Sequence, residues 1–292
     1  MPAVLNKDVN RGVRWGLTGV LIFAATLIAA PVALASSTES TNWAGYAVHR
    51  PGMSFHHVSA TWIQPIATCS SGQPSYSSVW VGLGGYSPTS DALEQIGTEL
   101  DCTAGGRPIS SAWFELVPAP TENISLAVRP GDAIHASVTV AGTRVVVELD
   151  NLTTHHRFRK TLHTEAIDVS SAEWIVEAPS ECIGQYTCQA LPLANFGSVV
   201  FESAKVSTTN GTVGTISGTE WARTKITLTP GSQSLIVARG SSDTAGTAAP
   251  SVLRGGGSAF GVTFATAPVQ SRPATARDAR VRVGASPGYI RH

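Results

Sequence analysis

Residues 171–179 read Ser-Ala-Glu-Trp-Ile-Val-Glu-Ala-Pro, two carboxylates set inside an otherwise apolar run. Strand side chains alternate with period two, so Glu173, Ile175 and Glu177 share one face while Trp174 and Val176 share the other. A carboxylate between Ile and Val must be solvated, paired or used. The ordinary expectation for such a segment is the polar outer face of an edge strand, because carboxylates mostly stay exposed. Outward from this stretch, short alternating runs recur with turn residues between them. They are HHVSATWIQP (56–65), SSVWVGLGG (77–85), ISSAWFELVP (109–118), AIHASVTVAG (133–142), TRVVVELDN (143–151), GSVVFESAKV (197–206), KITLTPG (225–231), QSLIVARG (233–240) and SAFGVTFATAP (258–268). Many carry Val, Ile, Thr or an aromatic residue, and no long helical period interrupts them. Roughly a dozen short strands in about 230 residues predict an all-β fold, a β-sandwich of two antiparallel sheets in one domain. The Ser-, Thr- and Gly-rich stretches 207–219 and 241–250 are expected to be loops.

A second segment, DALEQIGTELDC from Asp91 to Cys102, carries Gln95 and Gly97 between apolar positions. Together with AEWIVE, and with STNWAGYAV (40–48), SSVWVGLGG, SAWFELVP (111–118) and LANFGSVVF (193–201) in that order, it resembles the glutamic peptidase (eqolisin) family. These are scytalidoglutamic-peptidase-like acid endopeptidases that use a Glu and a Gln, and the likeness is to a bacterial-type member. The resemblance implies a concanavalin-like or lectin-like sandwich. It also implies proteins or peptides as substrates and no cofactor.

The match is made residue by residue. The family's catalytic Gln lies two before a Gly, which here is Gln95 before Gly97. Its catalytic Glu is the last letter of AE[FW]I[IV]E, which places the general base at Glu177 and leaves Glu173 outside that role. Trp80 matches a site-lining Trp, Glu115 a carboxylate that flanks the site, and Glu99 stands where fungal members carry Asp. One position departs: Gly84 stands where WVGxDG has Asp. If that Asp tunes Glu177, placing one at position 84 should raise the base's pKa and move the acid limb of activity.

The chemistry suits these residue types. Peptide hydrolysis needs a deprotonated group to take a proton from water and a donor aimed at the oxyanion of the tetrahedral intermediate. A carboxylate supplies the first and an amide NH₂, which does not titrate, supplies the second. The optimum is therefore expected on the acid side of neutrality.

Other chemistries find less support. There is no GxSxG elbow and no HExxH. His56, His57, His155 and His156 come as adjacent pairs that diverge on a strand, so no metal site is expected. Two other classes remain open: a β-sandwich glycosidase using Glu115 and Glu177, and a non-catalytic carbohydrate-binding module stacking sugars on Trp43, Trp62 and Trp80. Core packing is the expected role of Trp43 and Trp62. Asn123, Asn151 and Asn210 open N-x-[ST] sequons.

Arg11 and Arg14 precede a largely apolar run from Trp15 to Leu34 ending in Ala33-Leu34-Ala35. That is the layout of a secretory signal over residues 1–35, with the mature chain starting at Ser36 and no stable membrane insertion after cleavage. Secretion places the chain in an oxidising, extracellular compartment. All four cysteines follow the cleavage point. Four cysteines allow three pairings; those expected are Cys69–Cys102 and Cys182–Cys188, the second bracing the end of the Glu177 strand. The folded body, 36–268, carries 12 Lys and Arg against 18 Asp and Glu, a net of −6. With no basic stripe it is not expected to bind nucleic acid. Residues 269–292 hold five Arg against one Asp, with Pro and Gly and little apolar periodicity, and are expected to be a disordered basic tail. A monomer is expected.

Overall fold

The computed structural model describes residues 35–183, 187–229, 246–266 and 289–291. The expected signal segment up to residue 34, the predicted strand 233–240 and tail residues 267–288 lie outside the described residues.

In chain order the strands are β1 (Ala35–Ser40), β2 (Trp43–His49), β3 (Phe55–Ile63), β4 (Ser78–Gly84), β5 (Leu93–Cys102), β6 (Pro108–Val117), β7 (Glu122–Ile124), β8 (Ala133–Ala141), β9 (Arg144–Asn151) and β10 (His156–His163). They continue as β11 (Ser171–Glu177), β12 (Ser180–Ile183), β13 (Thr187–Ala190), β14 (Ser198–Thr208), β15 (Val213–Gly214), β16 (Ala222–Leu228), β17 (Gly246–Pro250), β18 (Phe260–Thr266) and β19 (Tyr289–Arg291). The only helical element among the described residues is a 3₁₀ turn at Gly255–Gly257.

The all-β expectation holds, but hydrogen bonding does not separate the strands into two sheets. Sixteen strands form one sheet in the order β10-β9-β8-β3-β14-β18-β17-β16-β2-β11-β4-β5-β6-β7, with β15 added to β14 and β1 to β16. All pairs are antiparallel except β1 with β16. The link is β14. Ser198–Phe201 pairs with β18, and from Glu202 onward the same strand pairs with β3. A register shift between Glu202 and Lys205, with Ser203 at φ 54°, marks the place where the strand bends. Bulges sharpen local twist, so one long strand serves both layers. Sequence periodicity does not register such a corner.

The sheet folds over a core of Trp62, Trp174, Phe55, Phe201, Phe260, Leu83, Ile96 and Val147 among others. Buried indoles stitch the layers: Trp174 donates to the Ser59 carbonyl at 2.9 Å and Trp62 to Thr98 Oγ1 at 3.2 Å. The expected core role of Trp62 is met. β11 lies at the centre, between β2 and β4, and every one of its residues is buried. An edge strand with a solvated carboxylate face is therefore excluded.

A separate three-stranded sheet, β13-β12-β19, adjoins the end of β11. Its register sets Cys182 opposite Cys188, and Cys188 is disulfide-bonded. The Cys182 side chain lies outside the described residues. Cys69 and Cys102 are joined as expected. The tail, expected to lack regular structure, contributes Tyr289–Arg291 as strand β19 on β12.

Gly84 has a structural reason that the motif alone conceals. Its φ is 84°, and a Cβ there would meet the Asp168 carbonyl oxygen at 2.5 Å and Asp168 Cβ at 2.6 Å. The space beside it is already held by Asp168, from the loop between β10 and β11. That carboxylate accepts from Gly85 N at 3.1 Å, Ser90 Oγ at 2.5 Å and Ser170 N at 2.8 Å. Burial pushes Asp168 up, but these bonds outweigh it and leave the carboxyl below its usual value. Substituting Asp at position 84 therefore strains the backbone and displaces Asp168, and is not the clean test of pH tuning that the motif suggests.

Candidate active site

Six adjacent strands, β16, β2, β11, β4, β5 and β6, present one face built from alternate residues. Trp43, Trp80, Leu93, Trp113, Val117, Ile175 and Ile226 form an apolar cluster there, distinct from the main core. Glu173 and Glu177 of β11, Gln95, Gly97 and Glu99 of β5 and Glu115 of β6 share that face by strand alternation.

Glu177 is 2% exposed. Its Oε2 accepts from the Trp80 indole N–H at 2.8 Å and its Oε1 from Asn42 Nδ2 at 2.9 Å. The backbone N–H of Ala178 donates to the Asn42 carbonyl, tying that asparagine to the end of β11 from a second point. Asn42 also accepts from Ser40 Oγ, which fixes its amide. Burial pushes Glu177 up to about 8; the Glu115 charge adds to the rise, while the Trp80, Trp43 and Asn42 donors oppose it. Gly97 makes room for this arrangement. A Cβ there would lie 2.2 Å from the Val79 carbonyl oxygen and 2.6 Å from Trp80 Cβ, so only glycine lets β4 carry Trp80 so close.

Gln95 is opposite Glu115 in the β5–β6 register, and its Nε2 donates to Glu115 Oε2 at 2.9 Å. Both are fully buried. The structure thus brings together two hydrogen-bonded groups, Glu177–Trp80–Asn42 and Gln95–Glu115, coupled by the Glu115 charge felt at Glu177. Glu99 sits opposite Ser78, which is itself opposite Glu177, and accepts from Ser111 Oγ at 2.7 Å. Its charge bears on Asp101, which burial first and Glu99 second push up to about 8.

Glu173 occupies the same face but a different neighbourhood. Burial raises it well above its usual value, Ser171 tempers this, and Asp168 and Glu94 reinforce it. The register sets Glu173 opposite Gly82, itself opposite Gln95, whereas Glu177 takes the Trp80 and Asn42 hydrogen bonds, and those bonds separate the two carboxylates of AEWIVE.

Sequence reasoning missed Asn42, while its expectation that Trp43 packs in the interior is met. Trp43 is buried at 2% against the Trp80 ring, with centroids 5.0 Å apart and edge-on. The signal was available in STNWAGYAV, where a polar Asn immediately precedes the largely apolar run WAGYAV. Trp43, Trp62 and Trp80 are all 2% exposed or less, so they offer no sugar-stacking platform. Of the sequons, Asn151 is spent inside the fold, donating to Asp132 Oδ2 at 2.7 Å.

The fold and the face define an all-β protein whose polar centre is made of carboxyl and carboxamide groups. Residues 41–244 match the Peptidase A4 family, and the chain belongs to that family of glutamic peptidases. It is a glutamic endopeptidase. It is 27% identical over 199 residues to aspergillopepsin-2 of Aspergillus niger, covering 60% of this chain and 67% of that protein. Among solved structures it is similar to scytalido-glutamic peptidase with a transition state analog inhibitor, with TM-score 0.58 and 24% identity over 77% of this chain and 98% of that one. It is also similar to SCP-B, an eqolisin in complex with the tripeptide Ala-Ile-His, with TM-score 0.54, 24% identity and the same coverage.

Proposed function

We propose that this chain is a secreted acid endopeptidase in which Glu177 is the general base and Gln95 the oxyanion donor. Glu177 takes a proton from water as the water oxygen adds to the scissile carbonyl carbon, and the Gln95 amide donates to the oxygen that becomes negative. The C–N bond then breaks as Glu177 passes that proton to the leaving amine, and no covalent enzyme intermediate forms. The Gln95 carboxamide carries two N–H donors, and binding one to Glu115 orients the plane of the other.

The observation that carries this reading is that Glu177, and not Glu173, is held by the Trp80 and Asn42 donors on the face where Glu115 holds Gln95. In the intact chain burial holds Glu177 near 8, so below that value it is protonated and cannot act as a base. Acid-range turnover therefore requires the site to open to water before the attack, which lowers the pKa of Glu177 by relieving its desolvation. Export through residues 1–35 agrees with the disulfide Cys69–Cys102, which an oxidising compartment preserves.

The test is digestion of a denatured protein at acid pH by Glu177→Gln and Glu173→Gln. The first should lose turnover with its fold intact, and the second should keep most of it. Equal losses would mean that the wrong carboxylate has been chosen.

A further inference from the structure

β12 begins three residues after Glu177 and has two edges. One carries β13; the other carries β19, with Ser180 opposite Arg291, Glu181 opposite Ile290 and Cys182 opposite Tyr289. The end of the chain thus lies antiparallel beside the segment that leaves the catalytic strand, main chain to main chain. At about 3.3 Å per residue, Ser180 is about 10 Å along the backbone from Glu177. A peptide held extended with its scissile carbonyl at Glu177 spans that distance with three residues. The unpaired N–H and C=O groups of a strand edge are a template for such a peptide.

Two further observations bear on what occupies this edge. In the intact chain Glu177 is 2% exposed and Gln95, Glu115 and Trp80 are 0%, so little of this face is open to a substrate. The segment beyond Pro268 is also net positive, with five Arg and one Asp, against a body of net −6.

Resting on the peptidase reading above, we propose that the outer edge of β12 is where the main chain of an extended peptide substrate pairs, and that Tyr289–Arg291 occupies it in the intact chain as an intramolecular competitor. The partner that fits the edge is an unfolded protein segment. Pairing through the backbone makes the edge tolerant of sequence, and the basic character of the chain end supplies the attraction.

A chain ending at Gly288 loses β19 without touching the sixteen-stranded sheet. If the tail holds the edge about nine-tenths of the time, its removal lowers KM for an internally quenched peptide about tenfold, with kcat within about twofold. Tyr289→Pro in the full-length chain, which removes a main-chain N–H that faces β12, should move KM in the same direction. The synthetic peptide Gly-Tyr-Ile-Arg-His should inhibit the shortened enzyme competitively, and its backbone N-methylated form should not. Calorimetric binding of this peptide to the shortened Glu177→Gln variant reads the edge without any turnover, so an error in the catalytic assignment leaves this arm standing. An unchanged KM in both variants, equal potency of the N-methylated peptide, or conversion of a dimer to a monomer on truncation would overturn the proposal, the last because a second copy would then supply the strand.

Discussion

Replacing Glu94 with Gln should flatten the pH dependence of folding stability. Glu94 lies on β5 facing away from Gln95, fully buried, with only weak backbone-amide approaches from Asp168 and its own residue to its carboxyl oxygens. Burial pushes it up to about 9, and the charge of Asp168 adds to the rise against some relief from backbone amides. The folded chain therefore keeps this proton from the ordinary 4.5 up to about 9, whereas the unfolded chain releases it near 4.5. Unfolding in that window releases a proton, so the stability is fully present below the lower value and is lost as pH rises toward the upper one. One proton corresponds to about 1.36 kcal/mol per pH unit, or about 2.7 kcal/mol between pH 5 and pH 7. Water entry around the ionised group lowers the observed figure, so a loss of about 1 to 3 kcal/mol is expected from Glu94 alone. Gln keeps the shape and does not titrate, and so should remove that share. Urea unfolding followed by tryptophan fluorescence at the two pH values, on the parent chain and on Glu94→Gln, measures it. Asp101 and Glu173, raised in the same direction, leave a residual slope in the variant. If parent and variant lose equal stability between pH 5 and pH 7, Glu94 is solvated or ionised in the folded chain and the argument fails.

Gln95→Ala should raise the barrier by about 2.7 to 4 kcal/mol, read as kcat on a peptide substrate, and a loss below about tenfold removes Gln95 from the oxyanion role. Asn42→Ala deletes a donor to Glu177, so the base should titrate higher and the acid limb of the kcat/KM profile should move to higher pH; an unmoved limb would show that Asn42 only shapes the strand end. Gly84→Asp should destabilise the fold by about 1 to 3 kcal/mol in urea titration, through its φ of 84° and the displacement of Asp168, and a neutral outcome would contradict the contact geometry. Removing Cys69–Cys102, separated by 33 positions, should cost about 3.7 kcal/mol by loop entropy, measured as the urea midpoint shift of the Cys69→Ala, Cys102→Ala double variant.

The period-two runs by themselves determined an all-β chain, because alternation is a local property that survives in one dimension. The same holds for the short-range register of AEWIVE and LEQIG, which settled which of their residues share a face. Local order could not decide that β14 turns a corner and joins the layers into one sheet, since a bulge is specified by the two strands it lies between. Nor could it separate Glu173 from Glu177 on physical grounds: both lie on one face of one strand, and only the approach of Asn42, Trp80 and Glu115 from three other segments distinguishes them. Gly84 makes the same point. As a letter it reads as a missing aspartate, while in space its vacancy is what admits Asp168, a residue 84 positions further along. Side-chain chemistry is written in the sequence, but the pKa of a buried carboxyl depends on dielectric surroundings and neighbouring charges that only the folded chain assembles.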